Sequence, residues 1–97
     1  MEFDGKVAIV TGASTGLGEI IAEELFDQGA CVVIAARHEE QARLVGDRID
    51  PSGKKVHICK TDVRDHRSVE SLIRSTLKRF GALHFAVNNA GITGPAG

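Results

Sequence analysis

A run of eight residues, Thr11-Gly12-Ala13-Ser14-Thr15-Gly16-Leu17-Gly18, separates a short apolar segment from a segment with helical periodicity. The preceding residues, Val7 to Val10, are all apolar, as expected for a strand buried on both faces. A glycine-rich turn between a strand and a helix brings bare backbone N–H groups and a helix N-terminus close to a pyrophosphate, where negative charge is favoured. The placement of this run therefore predicts a chain that binds a dinucleotide.

The three glycines of this run have different predicted tasks. Gly12 permits the tight turn, Gly16 lets the backbone approach the ligand closely, and Gly18 lets the helix pack against the strand. Glycine spacing alone is weak support for a dinucleotide-binding turn, since glycines cluster in many ordinary turns. Here a buried strand precedes the run, a helix follows it, and the same strand–helix unit recurs downstream, which disfavours the ordinary turn.

Strands and helices alternate along the whole chain. Strands are predicted over residues 6–11, 31–35, 55–60 and 83–88, with a first helix that ends at Gly29 and later helices over 38–49 and 65–80. Both the first and the third helix carry an apolar stripe, made by Leu17, Ile20, Ile21, Leu25 and Phe26 in one and by Val69, Leu72, Ile73, Leu77 and Phe80 in the other. This alternation predicts an α/β fold with a parallel sheet in the order 3-2-1-4 and helices on both faces.

Composition disfavours several other classes of protein. The 97 residues, 42% of them hydrophobic, fit one domain with one core, and a net charge of -1 predicts no nucleic-acid partner. No apolar run approaches membrane-spanning length and the charged N-terminus fits no signal peptide, so we expect a cytoplasmic protein without a membrane partner. Cys31 and Cys59 fall in predicted buried strands without metal-ligand spacing, so we expect core residues and no metal site.

Three motifs follow successive strands in a recognisable order. They are Thr11-Gly12-x-x-x-Gly16-x-Gly18 after the first strand, Asp62-Val63 after the third, and Asn88-Asn89-Ala90-Gly91 after the fourth. With these motifs the chain closely resembles the short-chain dehydrogenase/reductase family over essentially its whole length. The resemblance implies a Rossmann-type, doubly wound sheet. It also implies an oxidoreductase that transfers hydride between a nicotinamide cofactor and a small-molecule carbonyl or secondary alcohol.

The resemblance further implies cofactor contacts at particular positions. The phosphates and the nearby ribose would be lined by Ser14, Thr15, Gly16, Leu17 and Gly18. Asp62 would accept a hydrogen bond from the adenine amino group, and Val63 would contact the ring through its backbone. The adenosine ribose and the path toward the nicotinamide would be lined by Asn89, Ala90, Gly91 and Ile92. Two structural alternatives stay open: Asp62 satisfies backbone donors at a strand-to-helix turn, and the Asn-Asn-Ala-Gly turn only pins the fourth strand.

The residues after the second strand bear on the choice of dinucleotide. An NAD-specific site usually places an acidic residue there to pair with the ribose hydroxyls, but this chain has Ala36. Arg37 follows, and its guanidinium offers a planar fork suited to a 2′-phosphate, with Ser14 as a further donor and His38 close by. We therefore expect NADP rather than NAD. The alternative is a solvated Arg37 at a helix start in an NAD-preferring protein.

The chain contains no Tyr. In the family that it resembles, a Tyr is the general acid/base, a Lys lowers the pKa of that Tyr, and a Ser orients the carbonyl; none of these positions is present, so no catalytic residue is assigned. We expect residues 1–97 to be the N-terminal part of a single dinucleotide-binding domain, truncated after about four strands, from a homo-oligomeric enzyme. Its fourth strand would then be an exposed edge. A non-catalytic nucleotide-binding or interaction module is the alternative.

Overall fold

The structure is a computed structural model that describes residues 1–14 and 16–89. Its elements in chain order are β1 (Val7–Thr11), α1 (Gly16–Asp27), β2 (Cys31–Ala36), α2 (Glu39–Ile49), β3 (Val56–Lys60), α3 (His66–Phe80) and β4 (Phe85–Asn88). All strand pairs in the described ranges are parallel, and the sheet order is β3-β2-β1-β4. The predicted α/β fold and strand order are confirmed.

The sheet separates two apolar layers. Every residue of β1 is buried, as are the last five residues of β2, because both strands have helices on both sides. On one face, the side chains of β1 and β2 pack with α1 and α2; on the other, Ile9, Val33 and Ala35 pack with Leu72 of α3. Full burial of such a Val or Ile side chain stabilises the fold by about 1.5–3 kcal/mol.

Asp50 joins the end of α2 to the start of β3. Its Oδ1 accepts hydrogen bonds from the Ser52 hydroxyl at 2.6 Å and the Ser52 N–H at 3.1 Å, and its Oδ2 accepts one from the Lys55 N–H at 3.0 Å. These bonds, first of all the one from the Ser52 hydroxyl, lower the pKa of Asp50 below its ordinary value because they favour the charged carboxylate. The ionised Asp50 therefore fixes where β3 begins.

Capping residues set both ends of α3. The Asp65 carboxylate accepts a hydrogen bond from the Arg67 N–H, which satisfies one donor of the first turn. At the other end Gly81 has φ 79, a left-handed conformation that favours glycine, and its N–H donates to the Leu77 carbonyl. These caps define where α3 begins and ends.

The predicted apolar stripes are only partly buried. In α1, Leu25 is buried while Leu17 and Ile20 are 53% and 64% exposed; in α3, Leu72 is buried while Leu77 is 46% exposed. The described strands cover only part of each helix surface, so the rest of each stripe faces outward. Cys31 and Cys59 were expected in the core and are instead half-buried, because Cys31 begins β2 and β3 has a neighbouring strand on one side only among the described residues.

β4 lies at the edge of the sheet in the described part of the chain. It pairs with β1 alone, and its residues alternate between half-buried and exposed. A groove of about 300 Å³ runs beside it, between Ala86 and Ile73 of α3. No helix in the described ranges has the length and apolar character needed to cross a membrane.

Candidate functional site

The glycine turn after β1 has steric reasons for its glycines. Gly12 and Gly16 have φ 65 and φ 59, in the left-handed region where side chains other than glycine are strained. A Cβ on Gly18 would overlap the Gly12 carbonyl oxygen and lie 2.6 Å from Nδ2 of Asn89. The turn therefore needs glycine for conformation at its first two positions and for close packing at the third. Thr15 lies outside the described residues.

The end of β4 and the residue that follows it are tied to the end of β1 and to the glycine turn by hydrogen bonds. The Thr11 hydroxyl lies 3.1 Å from Oδ1 of Asn88 and 3.3 Å from the Val87 carbonyl oxygen. Asn89, which is 3% exposed, donates from Nδ2 to the Gly12 carbonyl at 3.2 Å. Oδ1 of Asn89 is buried without a hydrogen-bond partner among the described residues. Asn89 thus stabilises the glycine turn through its bond to Gly12. Ala90, Gly91 and Ile92 lie outside the described residues.

A cleft of about 170 Å³ opens at the carboxyl ends of β1, β2 and β3. Parallel strands place these ends at one edge of the sheet, which is where ligands bind in open α/β sheets. The cleft is lined by Gly12, Ser14, Ala35, Ala36, Arg37, His38, Thr61 and Val63. Five positions predicted from the sequence, spread over three strand ends, are therefore brought together: Gly12, Ser14, Arg37, His38 and Val63.

A second cavity, of about 380 Å³, adjoins this cleft. It is lined by Arg37, His38, Lys60, Thr61, Asp62 and Ser68, so that Arg37, His38 and Thr61 are common to both. Thr61 is buried and donates its hydroxyl proton to the Cys59 carbonyl at 3.1 Å. The two cavities together extend from the glycine turn to the first turn of α3.

The contacts of Asp62 bear on its two predicted roles, as a turn residue that satisfies backbone donors and as an acceptor for the adenine amino group. Its Oδ1 accepts hydrogen bonds from the Arg64 N–H at 3.0 Å and from the Arg64 Nε at 3.2 Å, as a turn residue would. These bonds from Arg64, with a smaller contribution from the charge of Arg37, lower the pKa of Asp62 below its ordinary value. Because an ionised carboxylate has about four lone-pair sites, Asp62 keeps capacity to accept a further hydrogen bond.

Arg37 differs from several other arginines in its surroundings. Arg64 is paired with Asp62 at 3.2 Å and Arg43 with Glu39 at 2.9 Å, and Arg48 bonds to two glutamates of α1. Arg37 is exposed and is in no ion pair with another described residue. Its guanidinium therefore keeps all its donors available at the mouth of both cavities.

The other histidines line neither of these two cavities. Nε2 of His57 is 2.8 Å from the Ser75 hydroxyl, and burial followed by the charges of Arg79 and Arg43 lowers the pKa of His57. Nδ1 of His84 accepts a hydrogen bond from the Val7 N–H at 2.9 Å. His66 lies beside Glu70 on α3.

Sequence reasoning missed three residues that line the second cavity, Lys60, Thr61 and Ser68. Ser68 supports the Asp62 turn, because its hydroxyl oxygen accepts a hydrogen bond from the Asp62 N–H at 2.9 Å. Lys60 ends β3 and pairs in register with Ala36 of β2. Counting residues back from Asp62 to the strand end would have found Lys60, but the register that places it beside Ala36 is a property of the folded sheet.

Comparison with known proteins relates this chain to one protein family. A sequence model of the family described as short chain dehydrogenase matches residues 6–97. A 3-oxoacyl-(acyl-carrier-protein) reductase of Salmonella typhimurium is 42% identical over 93 residues, which cover 96% of this chain and 37% of that reductase. The solved C-domain of a bacterial malonyl-CoA reductase with NADP has a TM-score of 0.85 and 30% identity, covering 91% of this chain and 15% of that one. A 3-ketoacyl-(acyl-carrier-protein) reductase from Brucella melitensis, complexed with NADH, has a TM-score of 0.81 and 31% identity, covering 87% and 34%.

The parallel sheet and the glycine turn at its carboxyl edge define a Rossmann-type nucleotide-binding fold. The family match over residues 6–97 shows that the chain belongs to the short-chain dehydrogenase/reductase family, oxidoreductases that bind nicotinamide cofactors. It spans 37% of the length of the 3-oxoacyl reductase that it matches. Solved neighbours carry both NADP and NADH, so the likeness alone does not choose between the two.

Proposed function

We propose that this chain forms the NADP(H)-binding part of an oxidoreductase that transfers hydride between NADP(H) and a carbonyl or secondary alcohol. The observation that carries the choice of NADP is the pair Ala36-Arg37 at the end of β2, where both residues line the cleft. Ala36 provides no carboxylate to bind a free ribose or to repel a phosphate. Arg37 provides a forked guanidinium with no ion-pair partner among the described residues.

The remaining cofactor contacts are proposed position by position. Ser14, Thr15, Gly16, Leu17 and Gly18 would face the phosphates and the nearby ribose at the start of α1, where the helix N-terminus favours negative charge. Asp62 and Val63 would contact the adenine. The adenosine ribose and the path toward the nicotinamide would be lined by Asn89, Ala90, Gly91 and Ile92. The small side chains of Ala35 and Ala36, which line the cleft, leave space for such a ligand. The bound nicotinamide would supply or accept the hydride.

We propose that residues 1–97 are the first part of a single dinucleotide-binding domain whose catalytic groups belong to a longer protein. Support comes from the share of the relatives that the chain spans, 37% in the 3-oxoacyl reductase, and from the absence of Tyr in the chain. A nucleotide-binding module without chemistry is the second candidate. The same absence of Tyr favours it for these 97 residues by themselves.

Titration calorimetry with 2′,5′-ADP and 5′-AMP tests the NADP proposal. We expect the unmodified chain to bind 2′,5′-ADP more tightly, and Arg37→Asp to remove most of that difference. A lost charge-assisted contact to phosphate costs about 1.5–3 kcal/mol. Arg74→Asp is the control, since Arg74 is an exposed residue of α3 that lines none of the cavities described above. Equal affinities for the two ligands in the unmodified chain, or unchanged relative affinities in Arg37→Asp, would refute the proposal.

A further inference from the structure

We propose that Lys60 is a second cationic contact for the 2′-phosphate and, with Arg37, determines the preference for NADP. The inference rests on the proposed function, since it concerns the same ligand. It adds to the site the last residue of β3. The sequence motifs had linked the end of this strand only to adenine binding.

The register of the sheet brings Lys60 to this position. Lys60 pairs with Ala36, and neighbouring strands lie about 4.8 Å apart. Residues of a strand alternate between its two faces, and Val56 and Ile58 pack in the same apolar layer as Ala36. Lys60 therefore lies on the face of Ala36, directly beside the position that an acidic residue occupies in an NAD site.

Lys60 and Arg37 share the space where a 2′-phosphate would lie. Arg37, His38 and Lys60 together line both the cavity of about 380 Å³ and an outer cavity of about 370 Å³. Lys60 is exposed and is in no ion pair with another described residue. Its ammonium group can therefore turn toward a ligand without breaking an existing contact.

The charge of the ligand argues for two cations rather than one. A phosphate monoester carries about −1.5 to −2 charges at neutral pH, so Arg37 alone leaves part of that charge uncompensated. The acids around the cavities are largely neutralised: Asp62 is paired with Arg64 and Glu39 with Arg43. Glu40 lines only the outer cavity, without an ion-pair partner among the described residues. The fork of Arg37 suits bidentate binding, and the flexible Lys60 adds a point charge from the neighbouring strand.

The test uses Lys60→Gln, Lys60→Arg and Lys54→Gln in the full chain, each titrated with 2′,5′-ADP and 5′-AMP by calorimetry. Loss of a charged contact predicts that Lys60→Gln weakens 2′,5′-ADP binding about tenfold and leaves 5′-AMP binding within about twofold. Lys60→Arg keeps the charge and should retain the preference. Lys54→Gln removes the same charge from an exposed position just before the opposite end of β3, and should change neither affinity. Far-UV circular dichroism confirms that each variant is folded.

The outcomes separate this inference from the proposed function. If the unmodified chain prefers 2′,5′-ADP, Arg37→Asp loses that preference and Lys60→Gln keeps it, then the assignment of Lys60 is wrong and the NADP proposal stands. Equal weakening of both ligands by Lys60→Gln also overturns the assignment, because it indicates a structural effect. If the unmodified chain shows no preference for 2′,5′-ADP, both proposals fail together.

Discussion

Gly18 is the residue at which α1 packs directly against the glycine turn and Asn89. We predict that Gly18→Ala destabilises the chain by about 1–3 kcal/mol, as in an overpacked core. The new Cβ would meet the backbone at Gly12 and Ala13 and the side chain of Asn89, and two of these three neighbours are main-chain atoms that cannot rotate away. Urea unfolding followed by circular dichroism measures the change.

An exposed position on α3 provides the comparison for Gly18. Ser71→Ala adds no contact and should change the free energy of unfolding by no more than about 0.5 kcal/mol. If Gly18→Ala were as stable as Ser71→Ala, the close approach of α1 to the glycine turn would not be a constraint on this fold.

Single residues were predictable from the sequence where a strand end identified them directly. Arg37 follows β2 at once, and Asp62 follows β3 by two positions, so the order of motifs was enough to predict both at the carboxyl edge of the sheet, where they line one cavity. Lys60 was predicted as the end of the third strand, but no motif singled it out, because its place beside Ala36 depends on pairing in the folded sheet. The contact of His84 with Val7 was hidden for the same reason, since it joins residues far apart in the chain.

At the scale of elements, Asp50 makes the α2–β3 connection sensitive to acid. We predict that Asp50→Asn lowers the free energy of unfolding by about 1–3 kcal/mol at pH 7, because bonds to a charged acceptor are replaced by bonds to a neutral one. The folded pKa of Asp50 is lowered, so its stabilisation is present above the unfolded value of about 3.9 and is lost as pH falls through the folded pKa. Urea unfolding of both proteins at pH 7 and at pH 3 checks this.

The difference between the unmodified chain and Asp50→Asn should therefore shrink as the pH falls below about 4. Asp27→Asn, at an exposed position at the end of α1, is the matched control and should behave like the unmodified chain at both pH values. A difference between Asp50→Asn and the unmodified chain that stays constant with pH would mean that the carboxylate charge does not hold the turn.

The sequence predicted where the helices lie but not which part of each helix is buried. Periodicity correctly placed α1 and α3, because spacing along the sequence determines which residues share a face. It could not tell which part of that face a strand would cover, and so Leu17, Ile20 and Leu77, which belong to the predicted apolar stripes, are exposed. The strands were easier: the unbroken apolar runs of β1 and β2 indicate burial on both sides, and the structure buries them so.

At the scale of the molecule, we predict that the 97 residues by themselves transfer no hydride. The chain has no Tyr to act as general acid, although the family to which it belongs consists of oxidoreductases. NADPH oxidation followed by absorbance, with a panel of ketones and 3-oxoacyl thioesters, should not exceed the rate without protein. A rate above that control, abolished by boiling the chain, would contradict the prediction.

The strand ends that line the 170 Å³ cleft belong to β1, β2 and β3, the first three strands of the chain. Every residue that lines the cleft lies between Gly12 and Val63, ahead of α3 and of the Asn88-Asn89 segment that leads toward the proposed nicotinamide position. Under the proposed function, the residues that choose between NADP and NAD lie in one contiguous stretch, which could be exchanged between proteins of the same topology. We expect such an exchange to alter which dinucleotide is used while leaving α3 and β4 in place.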